Sequence, residues 1–115
     1  MKLSGQAELL RIFIGESDKY QGVPLHEAIV REAHQRGMAG ATVLKGILGY
    51  GASSHIHTAK ILRLSEELPI VVEIVDRPER IAELLPELDK MIEEGLITLE
   101  KVQIIAYRHS GSKDR

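Results

Sequence analysis

The sequence predicts an α+β fold in which two helices cover one face of a four-stranded antiparallel sheet. Three observations indicate this arrangement. The chain has 115 residues, 43% of them hydrophobic, which suits a single domain with one core. Four segments are rich in β-branched and other apolar residues, and two more carry apolar residues at helical spacing. Their order along the chain is β-α-β-β-α-β, which is the order of the ferredoxin-like fold.

The first strand and the first helix are expected within residues 8–37. Residues 8–14 are mostly apolar and β-rich, and the strand should stop at Gly15. Pro24 stands where a helix can begin, because proline fits the first helical turn. Gly37 is expected to end this helix. The apolar positions that follow Pro24 at helical spacing are Leu25, Ala28, Ile29 and Ala33.

Two strands and the second helix follow. Residues 41–50 form the second predicted strand, and residues 68–76 form the third. Asp76 is expected to cap the second helix, with Glu79 three residues later completing a capping box. This helix should run to Gly95, and its buried face should be formed by Ile81, Leu84, Leu85, Leu88 and Ile92. Pro86 lies inside it and should bend it.

The last predicted strand covers residues 99–107, and residues 109–115 form a polar C-terminal tail. The third strand has apolar side chains on both faces, since Ile70, Val72 and Ile74 alternate with Val71 and Val75. Two helices can cover only one face of such a sheet. A homo-oligomer in which the sheets pack on each other is the simplest cover for the other face.

Composition excludes several function classes. The formal charge of -2, without a basic stripe, argues against a nucleic-acid partner. No apolar run is long enough to cross a bilayer and the N-terminus lacks a signal-type stretch, so we expect a cytoplasmic protein without membrane insertion. The absence of cysteine excludes disulfides and thiol catalysis. Without a G-x-S-x-G motif or a spaced acidic pair in a glycine turn, we do not expect an enzyme.

Three glycines mark the end of the second predicted strand. Gly46, Gly49 and Gly51 precede the polar segment 52–58. Glycine weakens a strand, so three of them indicate close backbone approach, either by a ligand or by a neighbouring chain. The alternative is that they permit a bulge or tight strand packing.

Two histidines in the polar segment open a metal alternative. His55 and His57 are two residues apart, so on an extended segment both side chains point the same way. A stable site needs about four ligands, or three and a water molecule, which symmetry in an oligomer could supply.

Three stretches resemble a known family in their order and spacing. They are Gly-Met-Ala-Gly-Ala-Thr-Val at 37–43, Gly-Tyr-Gly at 49–51, and Leu-Pro-Ile-Val-Val-Glu-Ile-Val at 68–75. They resemble the PII signal-transduction proteins and, more closely, the small PII-like proteins of domain of unknown function family 190. The resemblance covers residues 9–107. It implies a ferredoxin-like homotrimer that holds an adenine nucleotide in the clefts between subunits.

The resemblance also implies which residues bind the nucleotide. Gly40 and Thr42 would lie at one side of the cleft, Glu73 near the adenine and ribose, and Arg108 near the phosphates of a neighbouring site. Gly49, Tyr50 and Gly51 would lie at the mouth of the signalling loop. We also assign Ser53 and Ser54 to phosphate contacts, as polar residues of that loop.

One departure from the PII pattern concerns the phosphates. The segment between the second helix and the last strand, 93–98, lacks the lysine and the glycine-rich composition that hold a triphosphate in PII proteins. We therefore expect AMP or ADP rather than ATP. The expected function is regulatory: the nucleotide is an effector, no resident cofactor is required, and the 52–58 loop signals to a protein target. The alternative is a metal-responsive trimer of the divalent-ion-tolerance type that uses His55 and His57.

Overall fold

The computed structural model describes residues 5–51, 57–58 and 68–110. These contain two helices, four strands of one main sheet and four two-residue strands. The main sheet consists of β1 (Gly5–Gly15), β4 (Ala41–Lys45), β7 (Pro69–Asp76) and β8 (Leu96–Ile104). The short strands are β2 (Lys19–Tyr20), β3 (Val23–Pro24), β5 (Leu48–Gly49) and β6 (His57–Thr58), and the helices are α1 (Leu25–Gln35) and α2 (Pro78–Met91).

The main sheet has the strand order β4-β7-β1-β8, and every neighbouring pair is antiparallel. β1 lies inside the sheet and pairs with β7 from Glu8 opposite Asp76 to Gly15 opposite Pro69. Both strands that follow a helix in sequence, β4 and β8, lie at the edges. This order confirms the predicted ferredoxin-like α+β fold.

Helix α1 confirms the sequence prediction closely. Its buried residues are Leu25, Ile29 and Ala33, which recur at the spacing of one helical face. Gly37 ends it in a left-handed conformation, with φ of 69°. The Gly37 N–H donates to the His34 carbonyl, and the Met38 N–H donates to the Ala33 carbonyl. These two bonds are the Schellman motif, which satisfies carbonyls at the helix end.

The predicted cap of the second helix is wrong. Asp76 is still the last residue of β7, and the helix begins at Pro78 with Arg77 as the capping residue. The Asp76 side chain makes no cap bond to the helix and is fully buried. It accepts hydrogen bonds from the backbone N–H groups of Ala39 (2.9 Å) and Arg77 (2.7 Å). The helix also ends at Met91, four residues before Gly95.

Several strand boundaries differ from the prediction. The second predicted strand, 41–50, is broken after Lys45, because Gly46 turns its N–H to the Pro69 carbonyl at 2.7 Å. The short strand β5 that follows pairs with β6 instead of with the main sheet. The last strand begins at Leu96 rather than at residue 99, because β1 extends far enough to pair Phe13 with it. It also ends at Ile104 rather than at residue 107. The first strand is longer at both ends than the predicted 8–14, since it spans Gly5–Gly15.

The core lies between the helices and one face of the main sheet. From β7 it takes Ile70, Val72 and Ile74, which alternate with half-buried residues on the opposite face. The buried core residues are Leu10, Ile12, Ile14, Leu25, Ile29, Ala33, Ile70, Val72, Ile74, Ile81, Leu84, Leu88 and Met91. Neither of the helices in the described ranges has the length and apolar content that crossing a membrane requires.

The second face of the sheet is also largely apolar, and we call it the open face. Its apolar residues are Leu9, Phe13, Leu44, Val71 and Val75, which alternate with core positions along β1, β4 and β7. Phe13 is 37% exposed and Leu44 is 48% exposed in the single chain. The predicted second apolar face is therefore present.

Candidate functional site

Glu73 lies at the centre of the open face, beside a partner that the sequence analysis did not identify. In the strand register it is opposite Thr42 on β4 and Arg11 on β1. Arg11 Nε donates to Glu73 Oε2 at 2.9 Å, and Arg11 also pairs with Glu100 on β8. The hydrogen bond with Glu73 raises the pKa of the Arg11 guanidinium. A carboxylate in an apolar strand needs such a partner. Arg11 is likewise a charged residue among the apolar residues of β1, as Glu73 is in β7.

The glycines at the end of β4 differ in what surrounds them. A Cβ on Gly46 would lie 2.6 Å from Pro69 Cγ, and one on Gly49 would lie 3.1 Å from the same atom. Among the described residues, no atom would lie within 4 Å of a Cβ on Gly51. The close approach that Gly46 and Gly49 permit is therefore to Pro69 of the same chain. Tyr50 and Gly51 are exposed.

An ion pair joins the strand ends at the base of this glycine segment. Lys45 Nζ, at the end of β4, lies 2.5 Å from Glu16 Oε2, just beyond β1. The Glu16 N–H donates to the carbonyl of Leu68, just before β7, at 2.9 Å. The hydrogen bond from Lys45 holds the pKa of the Glu16 carboxyl below its usual value. These contacts connect three strands where the chain leaves the sheet for residues 46–51.

Gly40 and Arg108 lie at the opposite end of the sheet. The Ala39 N–H donates to Asp76 Oδ2, and the Tyr107 hydroxyl donates to the Ala39 carbonyl at 2.5 Å. Gly40 directly follows Ala39, and Arg108 directly follows Tyr107, so these two contacts bring both predicted residues to one place. Gly40 and Arg108 are exposed there. The sequence separation of 68 residues between Ala39 and Tyr107 concealed this contact.

The predicted nucleotide-binding residues thus form two groups in a single chain. One group surrounds Pro69, at the first residue of β7, and the other surrounds Asp76, at its last residue. Seven residue steps along a strand span roughly 23 Å. Thr42 and Glu73 lie between the two groups, on the open face. One subunit does not bring Gly49–Gly51 and Arg108 into a single pocket.

Some predicted residues lie outside the described part of the chain. Ser53, Ser54 and His55 are among them, and of His57 only the backbone pairing with Gly49 is described. Within residues 5–51, 57–58 and 68–110, no three His, Asp or Glu side chains form a group that could hold a metal ion.

A depression open to solvent shares no lining residue with either group. It is bounded by β2, the start of α1 and the end of α2, and charged side chains of both signs line it. Its lining residues are Asp18, Lys19, Tyr20, Gln21, Leu25, Lys90, Met91, Glu93 and Glu94. None of them was predicted to bind nucleotide.

Comparison with known sequences identifies relatives across most of the chain. The family model DUF190, described as "Uncharacterized ACR, COG1993", matches residues 7–104. A "UPF0166 protein" of Aquifex aeolicus (strain VF5) is 43% identical over 98 residues, which cover 85% of this chain and 92% of that protein. Another "UPF0166 protein", from Methanocaldococcus jannaschii, is 39% identical over 95 residues, which cover 82% of this chain and 87% of that protein.

Two solved structures share the fold. One is CPII, a nitrogen regulatory PII-like protein from Thiomonas intermedia K12, bound to ADP, AMP and bicarbonate; its TM-score is 0.61 at 16% identity, over 86% of this chain and 88% of that chain. The other is CPII bound to ADP and bicarbonate, with a TM-score of 0.57 at 14% identity over the same shares. At such identities the likeness shows the fold. Together with the family model and the relatives of 39% and 43% identity, it confirms the resemblance predicted from sequence: this chain belongs to the DUF190 family and has a PII-like fold.

Proposed function

We propose that this protein is a PII-like regulator that binds AMP or ADP in clefts between identical subunits. The observation that carries the proposal is the placement of Gly40 and Arg108 together at one end of a PII-like sheet, with Gly51 exposed at the other. The CPII structures with the same fold hold ADP and AMP. Their ligands indicate which class of molecule to test first.

The chemistry at the Arg108 end suits a phosphate group. Arg108 is exposed, and the described residues include no ion-pair partner for it. A guanidinium can bind two phosphate oxygens at once, and a glycine N–H without a neighbouring Cβ can donate to a third. The segment 93–98 lacks the lysine and the glycine-rich composition that hold a triphosphate in PII proteins. We therefore expect AMP or ADP, which carry less phosphate charge, to bind better than ATP.

Assembly into a homotrimer would combine the two groups of residues. Because roughly 23 Å separates the ends of β7, a nucleotide that contacts both groups must take them from different subunits. The open face supplies an apolar surface for that assembly, with Phe13 and Leu44 exposed in the single chain. Closed symmetry buries such a repeated patch in every copy.

Signalling would use the segment that follows Gly51. The base of this segment is held by the pair of Lys45 with Glu16 and by the bond from Gly46 to Pro69. Because these contacts hold the start of the segment in place, a nucleotide bound beside Gly51 would change the conformation of the residues that follow rather than move the whole segment. The nucleotide would select one conformation of the 52–58 loop, and that conformation would change contact with a protein target.

Isothermal titration of the purified protein with AMP, ADP and ATP, with and without Mg²⁺, tests the proposal. We expect saturable binding of AMP or ADP and weaker binding of ATP. Replacing Arg108 with alanine should weaken binding about tenfold or more, since it removes charge-assisted bonds to phosphate. The matched control is Arg31→Ala, which removes an exposed arginine of α1 whose partner is Glu27. It should leave the affinity unchanged.

Two results would contradict the proposal. One is the absence of binding by any of the three nucleotides at millimolar concentration. The other is a monomeric mass in light scattering coupled to gel filtration, with and without nucleotide. A rise in melting temperature with divalent ions, when nucleotides cause none, would favour the metal-responsive alternative.

A further inference from the structure

We propose that Tyr107 and Asp76 are positioning residues for the phosphate end of the nucleotide site. Both hold the backbone of Ala39, the residue before Gly40, and Tyr107 also precedes Arg108 in the chain. They would fix a backbone donor and a guanidinium relative to each other without touching the ligand. This inference rests on the proposed function.

The bond from Tyr107 acts directly on the Gly40 donor. The Ala39 carbonyl and the Gly40 N–H belong to the same planar trans peptide group, so they point in opposite directions. Because the Tyr107 hydroxyl holds that carbonyl at 2.5 Å, it also fixes the direction of the Gly40 N–H. No described residue accepts a hydrogen bond from this N–H. A Cβ at Gly40 would meet no atom of the described residues within 4 Å, so the space beside it can accept a ligand.

Asp76 holds the same segment from inside the protein. It is the one polar or charged residue that is fully buried in the described part of the chain. A buried carboxylate is costly unless hydrogen bonds satisfy it, and here two backbone N–H groups do so. One of the two is the N–H of Ala39. Asp76 therefore fixes the peptide group between Met38 and Ala39, and Tyr107 fixes the one between Ala39 and Gly40.

The chain around Arg108 leaves the sheet after Ile104, the last residue of β8. Ile105 is 88% exposed, whereas Tyr107 is half-buried and bonded to Ala39. This bond places the backbone of Arg108 within one residue of an anchored position. Without the bond from Tyr107, the Arg108 guanidinium would sample more positions in the free protein. Binding would then have to restrict this motion, and the entropic cost would lower the affinity for phosphate.

The decisive experiment is a double-mutant cycle on ADP affinity, measured by titration calorimetry. Tyr107→Phe removes only a hydroxyl and should weaken ADP binding about tenfold while the melting temperature without ligand changes little. In the Arg108→Ala background the same substitution should cost only about threefold, because one of the two groups it positions is gone. Tyr20→Phe is the matched control, since the one hydrogen bond of the Tyr20 hydroxyl among the described residues is a long contact of 3.5 Å from the Gln21 side chain. It should leave the affinity unchanged.

Amide hydrogen exchange on the ligand-free protein supplies a second measurement. Tyr107→Phe should accelerate exchange in residues 105–110, and Asp76→Asn should accelerate exchange of the Ala39 amide. Unchanged exchange in the Tyr107 variant would overturn the inference. The inference would also be overturned if Tyr107→Phe weakened ADP binding equally in the wild-type and the Arg108→Ala backgrounds, or if it weakened binding in neither. If the wild-type protein binds no adenine nucleotide, the proposed function fails first, and the positioning role fails with it.

Discussion

The glycines at the end of β4 allow a sharp test of whether this segment is shaped for packing or for a ligand. Replacing Gly46 with alanine would put a Cβ 2.6 Å from Pro69 Cγ. Carbon atoms in favourable contact are about 3.5 to 4.0 Å apart, so the shortfall is about 1 Å. The proline ring is rigid, and Pro69 pairs with Gly15 in the sheet, so backbone must move. We expect a loss of about 1 to 3 kcal/mol in the free energy of unfolding.

The other two glycines provide graded controls. At Gly49 the new Cβ would lie 3.1 Å from Pro69 Cγ, so the expected loss is smaller than at Gly46. At Gly51 the new Cβ would meet no atom of the described part of the chain, so alanine there should be neutral or should stabilise by about 0.4 to 1 kcal/mol, because it restricts the unfolded chain. If Gly51→Ala nevertheless lowers ADP affinity, its role is with the ligand rather than with the fold.

Urea unfolding at one fixed protein concentration measures these differences, since oligomers unfold in a concentration-dependent way. A double-mutant cycle combines Gly46→Ala with Pro69→Ala, which removes the Cγ atom. The nearest atoms to the new Cβ at position 46 are then the Pro69 carbonyl oxygen at 3.4 Å and Cβ at 3.5 Å. Gly46→Ala should then cost clearly less than it does in the wild-type background. An equal cost in both backgrounds would refute the steric reasoning.

Three further substitutions are predicted from single contacts. Lys45→Met removes the cation that holds the pKa of the Glu16 carboxyl below 4.5. The loss in unfolding free energy should therefore be complete at pH 7 and should shrink as the pH falls below 4.5, where Glu16 becomes protonated. A loss that stays constant between pH 7 and pH 3 would contradict this reasoning. Phe13→Glu charges the open face and should convert the proposed homotrimer to monomers in light scattering without unfolding the chain, whereas an unchanged mass would exclude this face as the interface. Gly95→Ala puts a Cβ 2.7 Å from the Phe13 carbonyl oxygen and should cost about 1 to 3 kcal/mol in urea unfolding; a neutral result would contradict the geometry.

Much of the fold followed from local patterns in the sequence. The alternation of Ile70, Val72 and Ile74 with Val71 and Val75 gave both faces of β7 correctly. Gly37 ended α1 where a left-handed residue was required. These predictions succeeded because periodicity and glycine conformation depend on neighbours in sequence.

The errors arose where contacts between distant residues decide the outcome. Asp76 fits a capping box locally, yet the structure buries it against the N–H of Ala39, 37 residues away. The second strand was predicted to continue through Gly46, but the carbonyl of Pro69 takes that N–H and breaks the strand. A propensity pattern cannot report either partner.

The candidate site was predicted only in part for the same reason. The resemblance supplied Gly40 and Arg108 separately, and the bond between Tyr107 and Ala39 brings them together. Arg11 was missed, although it is the one cation in the apolar stretch 8–14 and Glu73 is the one carboxylate in the apolar stretch 68–75. These two isolated charges could have suggested the pair that the structure shows.

The separation of the two residue groups couples ligand binding to assembly. If Gly51 of one subunit and Arg108 of another contact the same nucleotide, the nucleotide must stabilise the oligomer by the same free energy by which assembly improves binding. Phe13 lies on the open face, in neither group, so Phe13→Glu changes assembly without altering a predicted ligand contact. Its ADP affinity should therefore fall with its mass, and high protein concentration should restore both together. If the Phe13 variant were monomeric and still bound ADP with wild-type affinity, the whole site would lie within one subunit. Because β7 is roughly 23 Å long, the two groups of one subunit cannot contact the same nucleotide. That result would therefore show that the nucleotide is not shared between the two groups.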